Sequence, residues 1–236
     1  MTKTQRKICP TSTLRPGYEK KVYSYSNSMR ARHRKGENGS SYSNAPKNTS
    51  NFFLSPLYPS EFTYSNTKYK SVIHYLESQK HNKCKGYHDL ILDAETPMEA
   101  LLLGKCKFIH NANNDPVIER INEAIIDHEG THNCCRRDAD WKKTRNTHFV
   151  HATYMKFKQN PELKEALMAT YPYPILEDTL DPYWGTGRRN RDGKHTGLNM
   201  GGRHLSHVRK ISIGNAMRDT ASVLSSGVIG INKKDI

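Results

Sequence analysis

The chain has 236 residues, 37 Lys and Arg against 23 Asp and Glu, a formal net charge of +14, 35% hydrophobic residues and five cysteines. Nothing approaches the roughly 18 consecutive apolar residues that cross a bilayer, which argues against a membrane protein, and Met1 to Pro10 lacks the apolar core of a secretory signal. An odd set of cysteines (Cys9, Cys84, Cys106, Cys134, Cys135) in a chain too long to need disulfide staples predicts reduced thiols and a cytoplasmic, or otherwise reducing, compartment.

The charge is uneven. Residues 1–50 hold eleven basic and two acidic side chains, a net +9 that leaves +5 for the rest. The same segment is rich in Ser, Asn, Tyr and Gly and has no helical or strand period. It has too little apolar surface to offset its ordering entropy, so residues 1–46 read as a disordered basic tail. Two roles fit. Basic residues with interleaved Tyr18, Tyr23, Tyr25 and Tyr42 would make weak nucleic-acid contact, whereas a single dense cluster, Arg30 to Lys35, suits a solvated tail.

Beyond the tail, Val72, Tyr75, Leu76 and Gln79 fall at helical spacing within Ser71–His81 and predict a short amphipathic helix. A second helix is bounded by Thr96 as N-cap, Pro97 in the first turn, Glu99 completing a capping box, and Gly104 as stop. A third starts at Asp115 and Pro116, places Val117, Ile118, Ile121, Ala124 and Ile125 on one side, and ends before Gly130. Further helices are predicted at about 147–158 and at 161–169, the latter opened by Asn160 and Pro161. Pro172 and Pro174 then break the pattern before the short apolar run Ile175–Leu176, which ends at Glu177.

Asp181 to Gly202, DPYWGTGRRNRDGKHTGLNMGG, has six glycines and no period. A loop this long inside a compact domain is functional or disordered, and its tryptophan argues for order. Its glycines let backbone N–H groups approach a phosphate, which Arg188, Arg189, Arg191, Lys194 and Arg203 would neutralise.

Seven segments carry a resemblance: SVIHYLESQK (71–80), TPMEALLLGK (96–105), DWKKTR (140–145), MKFKQNPELKEALMAT (155–170), ILE (175–177), DPYWGTG (181–187) and GLNMGGRHLSHVR (197–209). In this order they resemble the NADAR or YbiA-like N-glycosidases over most of residues 51–212. The resemblance implies an α+β, mostly α-helical fold in one domain, residues 47–212, with 106–139 as an insertion and 213–236 as a C-terminal extension. It implies hydrolysis of a C–N glycosidic bond in phosphoribosylamino-pyrimidine intermediates of riboflavin biosynthesis, or removal of ADP-ribose from guanine, without cofactor or metal.

Cleavage of a ribosyl C–N bond passes through an oxocarbenium-like state. It therefore needs a carboxylate near the anomeric carbon, a proton or hydrogen bonds for the departing base, an aromatic face for its ring and an anchor for the phosphate. The resemblance assigns the carboxylate to Asp181 and aromatic faces to Trp184 and Trp141. It assigns substrate contacts to Glu177, Gly185, Gly187, Asn199, Gly202 and Arg209. Two positions depart from the family's pattern: Ile73 stands where the family has Glu, and Pro56 replaces an amide. Glu77, one helical turn beyond Ile73, is the replacement acid/base group; a non-catalytic nucleotide or ADP-ribose binder is the alternative. In the insertion, His128, His132, Cys134 and Cys135 lack the spacing of a zinc site, because adjacent cysteines do not reproduce C-x₂₋₄-C.

Overall fold

The computed structural model describes residues 23–25, 51–110, 115–132 and 139–228. In chain order the elements are β1 (Tyr23–Tyr25), β2 (Phe62–Tyr64), β3 (Thr67–Tyr69), α1 (Val72–Lys80), α2 (Lys85–Asp93), α3 (Pro97–Lys105), α4 (Pro116–His132), α5 (Trp141–Gln159), α6 (Pro161–Ala169), β4 (Ile175–Glu177) and α7 (Met200–Val228). The expected α-rich α+β class is observed. Two small sheets flank the helices: β2 and β3 pair antiparallel, and β1 runs parallel to β4 with Tyr25 opposite Glu177.

The strand β1 corrects the reading of residues 1–46 for three of them. Tyr25 is 1% exposed and packs with Leu54, Phe157, Leu167, Ile175, Leu205 and Val208, so a tyrosine in a polar segment fills a core position 150 residues away. The rest of that segment lies outside the described residues.

Capping explains the helix starts. Ser71 accepts the His74 amide at the head of α1, and Thr96 accepts the Glu99 amide at the head of α3. Glu99 reaches back to the Glu95 N–H and also takes Arg120 Nη2 at 2.5 Å, tying α4 to α3. Asp115 Oδ1 accepts the Val117 amide at the head of α4. Two expected stops are passed: α3 runs through Gly104 to Lys105, with Cys106 left-handed after it, and α4 runs through Gly130. Helix α5 begins at Trp141 rather than near 147, because its first turns are polar and carry no apolar period.

The short strands borrow side chains for their open edges. Gln159, at the end of α5, donates to Thr63 O at 2.7 Å and accepts from Thr63 N at 2.8 Å, acting as a strand neighbour of β2. Ser65 and Asn66 both have positive φ, the requirement of the two-residue turn joining β2 to β3.

Helix α1 is the hub, packed against α2, α3 and α5. One apolar cluster gathers Ile73, Ile91, Met98, Leu103 and Ile121; a second gathers Val72, Tyr75, Leu76, Trp141 and Phe149. Cys84 and Cys106 belong to the first cluster and are disulfide-bonded, which corrects the expectation of reduced thiols for two of the five cysteines. Cys84 is the N-cap of α2 and Cys106 the C-cap of α3, helix ends that meet because both helices pack on α1, a proximity that residue counting does not reveal. Cys9, Cys134 and Cys135 lie outside the described residues. No helix among the described residues is long and apolar enough to cross a membrane.

Candidate active site

The segment Asp181–Gly187 is folded back on the residues preceding α7. Leu198 N donates to Pro182 O, Asn199 N to Gly185 O, Met200 N to Tyr183 O and Gly201 N to Trp184 O, so the two stretches run side by side. Asp181 starts the turn. Its Oδ1 accepts the backbone N–H groups of Tyr183 and Trp184, each at 2.8 Å, and the residue is exposed. The second oxygen, Oδ2, has no hydrogen bond among the described residues. The carboxylate is thus held in orientation through one oxygen and presents the other.

The turn delivers Trp184 onto α5, where it stacks on Phe149 with ring centroids 5.1 Å apart. Tyr183 donates its hydroxyl to Asn146 Oδ1 at 2.8 Å, and His204 Nε2, from the first turns of α7, lies 3.1 Å from the same oxygen. An amide oxygen only accepts, so His204 carries its proton on Nε2. Burial, then the neighbouring His207, holds the His204 pKa below its ordinary value. Arg145 lies flat over this wall, its guanidinium carbon 3.5 Å from the Tyr183 ring centre and 5.7 Å from that of Trp184. It has no carboxylate partner among the described residues, and its buried Nε has no hydrogen-bond acceptor.

Trp141 opens α5, stacks on His148 and lies beneath Lys80 Nζ, 5.7 Å from the ring centre. The Tyr75 hydroxyl is 2.8 Å from His148 Nδ1, and burial lowers the His148 pKa while raising that of Tyr75. Glu77 is 2% exposed, ion-paired with Lys80 and backed by Gly104, where a Cβ would collide with its carboxylate. Trp141 and Trp184 therefore share one aromatic cluster, and Glu77, packed against Gly104 of α3, meets it through Lys80.

The remaining expected substrate ligands make contacts within the protein. Glu177 is 4% exposed and accepts the Tyr25 hydroxyl at 3.1 Å; its neighbour in this arrangement is Gly201, where a Cβ would collide with the carboxylate. Asn199, at φ 50°, accepts from Glu177 N and donates to Ile175 O, each at 2.9 Å, closing the open edge of β4. Gly202 packs against Ile175 O and Gly185 against Thr179, while Gly187 has φ +67° beside Gly197. Arg209 is buried; it donates through Nη1 to Thr170 Oγ1 and Tyr173 O, its buried Nε has no hydrogen-bond acceptor among the described residues, and burial lowers its pKa. Of the insertion's two histidines and two cysteines, His128 packs edge-on against Tyr87, His132 is the last residue of α4, and Cys134 and Cys135 lie outside the described residues.

The sequence pattern of the NADAR domain matches residues 42–211, and the chain belongs to the NADAR family. Its fold is similar to that of Escherichia coli YbiA, solved by NMR, with a TM-score of 0.54, 16% identity, and coverage of 93% of this chain and 94% of that one. No curated protein sequence matches the chain. Sequence reasoning passed over Arg145 and Lys80. Arg145 stands four residues after Trp141, one turn along the same helix, and that spacing is the signal that pointed to it.

Proposed function

We propose that the chain is an N-glycosidase that hydrolyses the C–N ribosyl bond of phosphoribosylamino-pyrimidines. The observation that carries this reading is Asp181, an exposed carboxylate fixed by two backbone N–H groups through one oxygen with its other oxygen unengaged, beside the Tyr183–Trp184 wall. A carboxylate oriented in advance stabilises the positive charge that develops at the anomeric carbon, or takes a proton from the attacking water. Trp184 supplies a face for the base, and Arg145, a guanidinium without a carboxylate partner among the described residues, supplies the charge for the phosphate. His204, neutral and proton-bearing at Nε2, keeps the Asn146 oxygen oriented between it and Tyr183.

Release of ribose 5-phosphate from the purified chain tests the reading. Asp181→Asn keeps an acceptor for the two backbone N–H groups and removes the charge, so turnover should fall at least about 100-fold with the fold intact. Unchanged turnover in that variant would remove Asp181 from the mechanism. ADP-ribosylated guanine in DNA, offered in parallel, separates the two substrate classes by their relative kcat/KM.

A second reading, a non-catalytic nucleotide binder, is favoured by Ile73, which is 7% exposed in the apolar cluster with Leu57, Met98 and Leu103. It predicts ligand binding without turnover. Turnover of any C–N riboside by the native chain, abolished in Asp181→Asn, would exclude it.

A further inference from the structure

We infer that the chain has a second anion site, on the face of α7 turned away from Asp181 and Trp184, which takes the phosphomonoester of a small organic phosphate such as a mononucleotide. A cleft of about 300 Å³ lies between β4 and the first three turns of α7, and Arg203, His207 and Lys210 line it. These three stand at i, i+4 and i+7 and fall within about 60° of one another around the helix. His204 and Val208, which face α5, are displaced from Arg203 by roughly 100–140°. The cleft and the aromatic wall are therefore served by different sides of one helix.

Three observations give the cleft its ligand class. First, no acidic residue lines it, and Arg203, His207 and Lys210 have no carboxylate partner among the described residues, so two permanent positive charges lack internal compensation. A phosphomonoester carries about −1.5 to −2 at neutral pH, a matching charge. Second, Gly202, in the first turn of α7, also lines the cleft, and its N–H has no acceptor among the described residues. The usual capping group is unavailable there because Asn199 is committed to β4. Third, Pro174, Ile175 and Leu176 form an apolar opposite wall, and the volume sits at the lower end of small-molecule sites, about 300–1,000 Å³. That combination suits a sugar phosphate or mononucleotide better than a bare inorganic ion.

Titration calorimetry on the full chain tests this, with uridine 5′-monophosphate as probe and uridine as its phosphate-free counterpart. The monophosphate should bind and uridine should not. The Arg203→Glu/Lys210→Glu double variant should weaken binding at least about tenfold, since it replaces two attractive charges by repulsive ones. Both residues are exposed, so the melting temperature should stay at the native value. Arg145→Ala, which removes the phosphate anchor of the proposed reaction beside Trp184, should leave in place the binding that the double variant weakens, which keeps this site independent of that reaction. Equal affinity in the double variant, equal affinity for uridine, no binding of the monophosphate, or loss of that binding in Arg145→Ala would each overturn the inference. The basic N-terminal segment is common to all variants and cancels in the comparison.

Discussion

Lys156 is a buried cation with no carboxylate partner among the described residues. It is 1% exposed, its Nζ donates to Phe53 O at 2.7 Å and Ser55 O at 3.0 Å, and it lies over the rings of Tyr58 and Phe157. Burial pushes its pKa down to about 7, against 10.5 for an exposed lysine. Because the folded value is below the unfolded one, the unfolded chain binds more protons between the two, and stability rises with pH across that window. Below pH 7 both states are charged and the cost of burying the cation is present in full. From pH 7 to pH 9 the two pKa values give a gain of about 2 kcal/mol. Lys156→Met removes the titration and leaves the two carbonyls without their donor, at about 1–3 kcal/mol each, offset at neutral pH by relief from burying the charge. Urea denaturation of both proteins at pH 7, 8 and 9 should show wild-type stability climbing while the variant stays flat, so the variant falls behind by about 2 kcal/mol more at pH 9 than at pH 7. Parallel pH profiles for the two proteins would refute the assignment of a buried, uncompensated charge to Lys156.

His74 titrates on the acid side by the same logic: its ring, held between Ser71 Oγ and Ala94 O, has its pKa lowered to about 4 by burial. Between the unfolded value and pH 4 the chain should lose about 3 kcal/mol, and His74→Gln should remove that component of the difference in acid denaturation curves. Asn199→Ala deletes both side-chain bonds to β4 and puts alanine at positive φ, so urea unfolding should show a loss of about 3 kcal/mol, a structural cost exceeding any effect on KM. Glu77→Gln strands Lys80 and should cost about 3 kcal/mol while turnover per folded molecule persists; loss of turnover in fully folded protein would make Glu77 the reacting group instead.

What the sequence made legible was grammar: Thr96, Asp115 and Pro161 mark helix starts that are observed, and the aperiodic Asp181–Gly202 stretch does remain a loop up to α7. What it concealed depends on distance along the chain. Tyr25 pairs with Glu177 across 152 residues, and nothing local to either announces the partner. Glycines misled for the same reason. Gly104 reads as a helix stop from its flanks, yet its purpose is set by Glu77 on another helix, which needs the missing Cβ. Likewise Asn199 has the chemistry of a ligand, and only the folded chain reveals that a backbone amide and a backbone carbonyl already occupy its side chain.

The same arrangement distinguishes the two carboxylates to which the sequence assigned catalytic work, Asp181 and Glu77. Ile73 and Glu77 lie four residues apart on α1, so they share a face, but their surroundings differ. Ile73 is enclosed by apolar side chains, where a charge would be uncompensated. Glu77 meets a notch made by Gly104 and takes Lys80 as counter-ion, with Lys105 also within electrostatic reach. A carboxylate so enclosed and neutralised is suited to holding α1 against α3 and has little charge left for a reacting carbon. Asp181 is the converse: exposed, oriented through one oxygen, and without a cationic partner among the described residues. On the proposed reading, with isoleucine at 73, the electrostatic work at the reacting carbon therefore falls to the loop carboxylate rather than to the acid one turn along the helix.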